Sequence, residues 1–141
     1  MGLIQESIDN IIYHHKAGNI LYINVWAAFI ITGLGIWGMF LIPQCKWQTL
    51  VLTFLLYCWC MLGVTAGAHR LWSHHAYKAS YPLRFFIMVG FAMANQNTIL
   101  QWAEKHRAHH KYSDQDGDPY DASRGFFYAH LGWLLIEPTD K

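Results

Sequence analysis

Charge is what this chain has least of. Only 13% of its 141 residues are Asp, Glu, Lys or Arg, against 54% hydrophobic, where an ordinary soluble domain carries about a quarter charged residues. The deficit argues for a protein that meets lipid. Its net charge of +1 comes without a basic run or an arginine-rich tail, so nothing here recruits nucleic acid. Cysteine is scarce as well: Cys45, Cys58 and Cys60 form no CxxC pair, which excludes a zinc-ribbon spacing. Cys58 and Cys60 sit two apart in an apolar run, face different sides of any helix, and read with Cys45 as reduced packing thiols. The amphipathic stretch 1–19 has no apolar core closed by a small-residue cleavage site, so no signal peptide is expected. Repeats and low-complexity tracts are lacking too, and the length suits one domain.

What is present, first, is apolar length. Ile20–Ile42 holds no charge over 23 residues, about 34 Å as a helix and enough to cross a bilayer core. Trp47–Ala68 is a second uncharged run, of 22 residues. Two buried helices of a soluble core are the plainer alternative, but two runs each beyond about 18 apolar residues argue against it. Only Pro43-Gln44-Cys45-Lys46 separates them, which predicts an antiparallel two-span hairpin anchored by Lys46 and Trp47. Gly33, Gly35 and Gly38 on one span, and Gly63 and Gly67 on the other, would let the two helices approach closely. The hairpin returns the chain to its starting face, where Arg70, Lys78 and Arg84 follow, and the positive-inside rule makes that face cytosolic.

Leu83–Leu100 is interrupted by Arg84 and by Asn95-Gln96-Asn97-Thr98, leaving Phe85–Ala94 as an apolar stretch too short to cross. An interfacial or re-entrant helix over Leu83–Asn95 is expected, leading into a cytosolic helix. Tyr112–Ser123 reads as a polar loop with turns at Asp116-Gly117 and Asp118-Pro119, and Gly125–Ile136 becomes apolar again. The expected fold is thus an all-α integral membrane protein.

Nine histidines occur, and five fall into two clusters at the apolar edge, 69–74 (HxxxxH) and 106–110 (HxxHH). Ionisable clusters in such places are functional by default. His106, His109 and His110 share one stripe of a helix, whereas His69 and His74, five apart, diverge by about 140° on an ideal helix. The second pair converges only if its helix ends or bends. Imidazole suits iron, copper, nickel and zinc alike, five ligands exceed one zinc site, and the carboxylates of soluble di-iron bundles are missing. His14, His15 and His130 read as hydrogen-bonded packing residues; His75 is a spare base or a surface residue. A haem protein would need two histidines facing across a gap, and a transporter would place its ligands near the midplane.

Thr65-Ala66-Gly67-Ala68-His69-Arg70-Leu71-Trp72-Ser73-His74 and Trp102-Ala103-Glu104-Lys105-His106-Arg107-Ala108-His109-His110-Lys111 resemble the membrane fatty acyl-CoA desaturases of the stearoyl-CoA (Δ9) type. Asp118-Pro119, Arg124-Gly125-Phe126-Phe127 and His130-Leu131-Gly132-Trp133 continue the similarity, which runs from about Asn24 to Trp133. The resemblance implies a partial desaturase domain over 1–141, part of a four-span fold. It implies two iron ions, with His69, His74, His106, His109 and His110 as ligands, on the cytosolic face of the endoplasmic reticulum membrane (the inner membrane in a bacterium). Oxygen would be used to place a cis double bond in a saturated acyl chain, with electrons from cytochrome b5 and its NADH-dependent reductase. Gln96 and Trp102 match residues lining the bend of the acyl tunnel; Asn24 and Asn97 match polar residues near the head group. Trp102 read without the resemblance is an interface-belt residue.

Three departures follow. The family's third histidine box is absent, and five imidazoles do not fill two iron coordination spheres, so the chain alone is expected to be incomplete and inactive. Glu104-Lys105 stands where animal relatives carry Arg-Asp, and Glu137-Pro138 stands where they carry a basic pair that meets the CoA phosphates. The second loss leaves an acyl-lipid or carrier-protein thioester open beside acyl-CoA. A di-iron hydroxylase, or a non-catalytic membrane protein binding metal or haem, are the competing functions.

Overall fold

The computed structural model describes residues 3–137, and among these it holds helices and no strand, with a single isolated bridge between Ile20 and Ile136. The chain forms two compact units, one of Met1–Phe40 with Tyr112–Lys141, the other of Leu41–Lys111. Pro138, half of the expected departure at Glu137-Pro138, lies outside the described residues.

The first unit contains α1 (Leu3–Lys16) and α2 (Tyr22–Leu41). Its apolar helix α2 continues through a tight turn over Ile42–Gln44, where Pro43 fits the first helical positions. Together they make a 23-residue segment long enough to span a membrane. Ile23, Phe29 and Phe40 are 79%, 70% and 72% exposed, and a helix apolar on all sides is stable only in a core or in lipid. The 112–137 segment joins this unit by backbone bonds, Leu21 N–H to Leu135 O at 2.8 Å and Glu137 N–H to Asn19 O at 2.8 Å. The polar loop is tied by its own aspartates: buried Asp118 accepts from the amides of Asp114 (2.8 Å) and Tyr120 (2.9 Å), and Gly117 takes the positive φ of +102° that a turn there demands.

The second unit begins with α3 (Trp47–Leu62), which passes without a break into a wide π-helical segment, Gly63–Ser73. The continuous helix, Trp47–Ser73, is 27 residues, longer than the apolar run that predicted it. Helix α4 (Tyr81–Met93) starts on Ser80 and Pro82 and is 13 residues long, too short to cross. It packs on α3 and the π segment. The contact is backbone to backbone: a Cβ added at Gly63 would run into Gly90 and Phe91, and one at Gly90 would meet the Trp59 carbonyl at 2.6 Å. Trp59 also stacks on Phe86 (4.9 Å) and donates its indole N–H to the Phe86 carbonyl at 3.0 Å. Gly63 and Gly67 therefore serve the close approach of α4 within this unit. Cβ atoms at Gly33, Gly35 and Gly38 would meet nothing within 4 Å among the described residues. Among the described residues, Ala68, Leu71, Ile87, Phe91 and Ala103 are the buried hydrophobic ones, all in this unit. Two helices long and apolar enough to cross a bilayer, with their apolar side chains largely exposed, are those of a membrane protein.

Candidate metal centre

Helix α5 (Ile99–Tyr112) starts at a capping box, Thr98-Ile99-Leu100-Gln101. The Thr98 hydroxyl oxygen accepts from the Gln101 amide at 3.2 Å, and the Gln101 side-chain oxygen accepts from the Thr98 hydroxyl at 2.9 Å and its amide at 3.4 Å. With its start fixed, the 3.6-residue period sends His106 and His110 to one face, their rings 4.5 Å apart. Lys111 in the last turn complements the helix dipole.

His69 and His74 reach the same place by a different route. Their helix neither ends nor kinks between them; it widens. In the π segment the amide of His74 donates to the carbonyl of His69, five residues back, at 3.1 Å. An i to i+5 bond stacks residues five apart, so the two rings stand 4.7 Å apart. Single-turn π features cluster at functional sites; this one spans 11 residues.

The two segments place His69, His74, His106 and His110 in one group whose ligand nitrogens all lie within 4.8 Å of one another. His106 is the hub: its Nε2 is 3.1 Å from Nε2 of His74 and 3.0 Å from Nε2 of His110. Imidazole nitrogens about 2.0–2.1 Å from a single ion stand about 2.9–3.4 Å apart around it, so the donor set and spacing fit a metal ion. His109, the fifth expected ligand, is outside this group of four; its ring lies 5.8 Å from that of His110.

Electrostatics keep the site ready for a cation. Partial burial pushes the His106 imidazole down to about 4, helped by the neighbouring imidazoles of His110, His69, His74 and His109. His74 is lowered too, by desolvation first and then by His69 and His110. Both rings are thus held neutral, the form that binds metal.

Trp102 stacks on His106 at 4.8 Å and meets His69 edge-on at 6.4 Å. Its indole N–H donates to the Gln96 side-chain oxygen at 3.0 Å, so Gln96, Trp102 and His106 form a connected row. Asn97, exposed, has a φ of +64° in the turn between α4 and α5, a conformation Asn tolerates. Asn24 lies in the other unit, its amide nitrogen donating to the Leu134 carbonyl at 2.7 Å. His14 is buried with Nδ1 3.1 Å from the Asn19 side-chain oxygen, His15 lies 2.7 Å from the Tyr22 hydroxyl, and His130 stacks on Phe126. Of the three, His14 is the buried, hydrogen-bonded packing residue the sequence suggested, whereas His15 and His130 are exposed. Sequence reasoning missed Arg107, whose Nη1 donates to the Trp72 carbonyl at 3.5 Å across the two histidine-bearing segments. Its place inside HxxHH was the only available signal.

The chain matches the family model for fatty acid desaturases over residues 45–139. It is 55% identical over 96 residues to the Delta(9)-fatty-acid desaturase fat-6 of Caenorhabditis elegans, covering 68% of this chain and 28% of that protein. Identity to the stearoyl-CoA desaturase of Sus scrofa is 50% over 116 residues, 79% of this chain and 32% of the relative. Against the acyl-CoA Delta(11) desaturase of Choristoneura rosaceana it is 50% over 104 residues, 73% and 31%. The chain therefore spans about a third of the length of these relatives. Both histidine clusters fall inside the matched region, and on that match the chain belongs to the fatty acid desaturase family.

Proposed function

We propose that this chain carries metal-binding machinery of an oxygen-dependent acyl-CoA desaturase, an oxidoreductase that introduces a cis double bond into a saturated fatty acyl chain. The observation that carries the reading is the group of four imidazoles from two separate segments, inside a region that matches the desaturase family. The ligand set of the whole protein is proposed as His69, His74, His106, His109 and His110 around two irons, His109 serving an ion other than the one the four-histidine group fits. Iron so held supplies the oxygen chemistry needed to take hydrogens from an unactivated carbon. The overall change removes two hydrogens from adjacent carbons and, with two electrons and two protons, reduces O2 to water.

Several of the chain's own residues have proposed parts in this. His74 and His106 stay neutral and offer lone pairs. Trp102 covers one face of His106, and Gln96 fixes the indole, so an acyl chain bending past Trp102 would meet a rigid wall. Asn24 and Asn97 are proposed toward the head-group end. Relatives named for stearoyl-CoA and acyl-CoA substrates support acyl-CoA as the carrier; an acyl-lipid is the alternative. Cytochrome b5 and an NADH-dependent reductase are the proposed electron source. The endoplasmic reticulum membrane, with histidines facing the cytosol, is the proposed location, supported by Arg70 in the last turn of the second spanning helix and by Lys78 and Arg84 after it.

A chimera tests this. Residues 45–139 would replace the matching segment of the Sus scrofa stearoyl-CoA desaturase, expressed in a host without its own desaturase. Gas chromatography of cellular fatty acids should show monounsaturated product, lost on His106→Ala. Hydroxylated product in its place would move the protein to the hydroxylases. An iron-loaded chimera with no product at all would sink the reading.

A further inference from the structure

An α-helix cannot put His69 and His74 on one face, so whatever holds the wide turn holds the ligand pair. A π segment is a costly departure from the α-helical ladder and needs partners for carbonyls that its altered register exposes. Three hydroxyls supply them here. Thr65 donates to the Met61 carbonyl at 2.6 Å, where the helix begins to widen. Buried Ser73 donates to the Ala68 carbonyl at 2.6 Å, the same five-residue step as the bond from His74 to His69. Tyr77 reaches back eleven residues to the Ala66 carbonyl at 2.8 Å. The first two bonds are local to the helix. The third is different in kind, because Tyr77 lies beyond the helix end, three residues after His74, and straps the outgoing chain onto the middle of the wide segment. The amide of Ala76 donates to the Arg70 carbonyl at 2.9 Å beside it, so the strap has a backbone arm and a side-chain arm. At Gly67 the Ile87 and Trp72 side chains are packed where a Cβ would be, so α4 presses on the wide segment there.

We infer that Tyr77 is a positioning residue for the histidine site: its hydroxyl on the Ala66 carbonyl locks the π register that turns His69 and His74 toward His106. Ser73 is its junior partner inside the helix. Neither touches the ligand nitrogens; both act through the backbone that carries them. The inference rests on the metal-site reading above for its consequence, and on the hydrogen bonds alone for its mechanism.

The experiment uses the full chain in detergent, cobalt(II) as the probe and Tyr77→Phe as the variant, which removes one oxygen and keeps the ring. Outer groups that orient ligands cost about 10–100-fold in metal affinity when lost, and Tyr77→Phe should weaken cobalt binding by about tenfold and alter its visible absorption, with far-ultraviolet circular dichroism unchanged. Hydrogen exchange at the His74 and Ala76 amides should quicken. Ser73→Ala should give a smaller loss, and Ser73→Thr, which keeps the hydroxyl, should restore it; this pair decides the matter if Tyr77→Phe does not fold. Equal affinity, spectrum and exchange in Tyr77→Phe and the parent chain overturns the inference. A parent chain that binds no cobalt instead removes the metal reading, and the exchange rates then decide the register lock by themselves.

Discussion

The π segment and α5 each present two histidines to the same point, and they do it with different sequence spacings. On α5 the pair is four apart, and the ordinary helical period aligns it with no help beyond a capping box. On the π segment the pair is five apart, and the helix changes its period to match. Spacing and local period must agree; neither alone specifies a ligand pair. The asymmetry has a cost on one side only. An α-helix needs no external support for its register, whereas the wide segment is held by Ser73, Tyr77 and the packing at Gly67.

The largest effect should come from removing the point where the two segments meet. His106 has nitrogen neighbours from both, so His106→Ala should lower metal affinity by more than about a hundredfold, while His14→Ala, which removes a hydrogen bond to Asn19 and no nitrogen of the group of four, should change it less than about twofold. Metal content after dialysis measures both, and equal losses would mean that the histidines act as unspecific surface ligands.

A register exchange sharpens the comparison. Moving an imidazole one place along α5, His110→Lys with Lys111→His, turns it about 100° away from the site. Moving one along the π segment, Ser73→His with His74→Ser, creates the four-residue spacing that only an α-helix could use. Both should cost at least about tenfold in cobalt affinity. If the second exchange bound as well as the parent, the segment would be an ordinary α-helix in solution, and the contrast drawn above would collapse.

The smallest effect is electrostatic. In an unfolded chain His106 would titrate near 6.5; in the folded metal-free protein it is held down to about 4. The unfolded state therefore takes the proton first, so this group's contribution to stability declines as pH falls from 6.5 towards about 4 and is flat outside that window. Histidine NMR should find His106 neutral at a pH between the two values. Because burial is the first cause and the neighbouring imidazoles follow, His110→Ala should raise the His106 value only in part. A full return to the ordinary value would assign the depression to charge crowding.

Much of this was legible in the sequence. Long uncharged runs fix the spans because bilayer thickness fixes their length, and i, i+3, i+4 histidines fix a face because helical geometry does. The π segment was not legible, since HxxxxH states a mismatch with the α-helix but not its resolution. A bend, an end and a widened turn all satisfy it. The approach of α4 to Gly63 and Gly67 was hidden for a related reason: a small residue announces close approach without naming what approaches. Spacing on α5 did allow His106 and His110 to share one ion while His109 reached another, and the group of four leaves His109 out.

The contact of Gly63 with Gly90 and Phe91 falls where the regular helix gives way to the wide one. That junction divides the second span into two mechanical parts. Upstream of Trp59, the helix is a ruler matched to the thickness of the bilayer, free to tilt or to gain a residue as membranes differ. Downstream, every added residue would rotate a ligand. Lengthening the span and tuning the metal are therefore separable changes in the same helix, and a chain of this kind can be refitted to a thicker membrane without recalibrating its histidines.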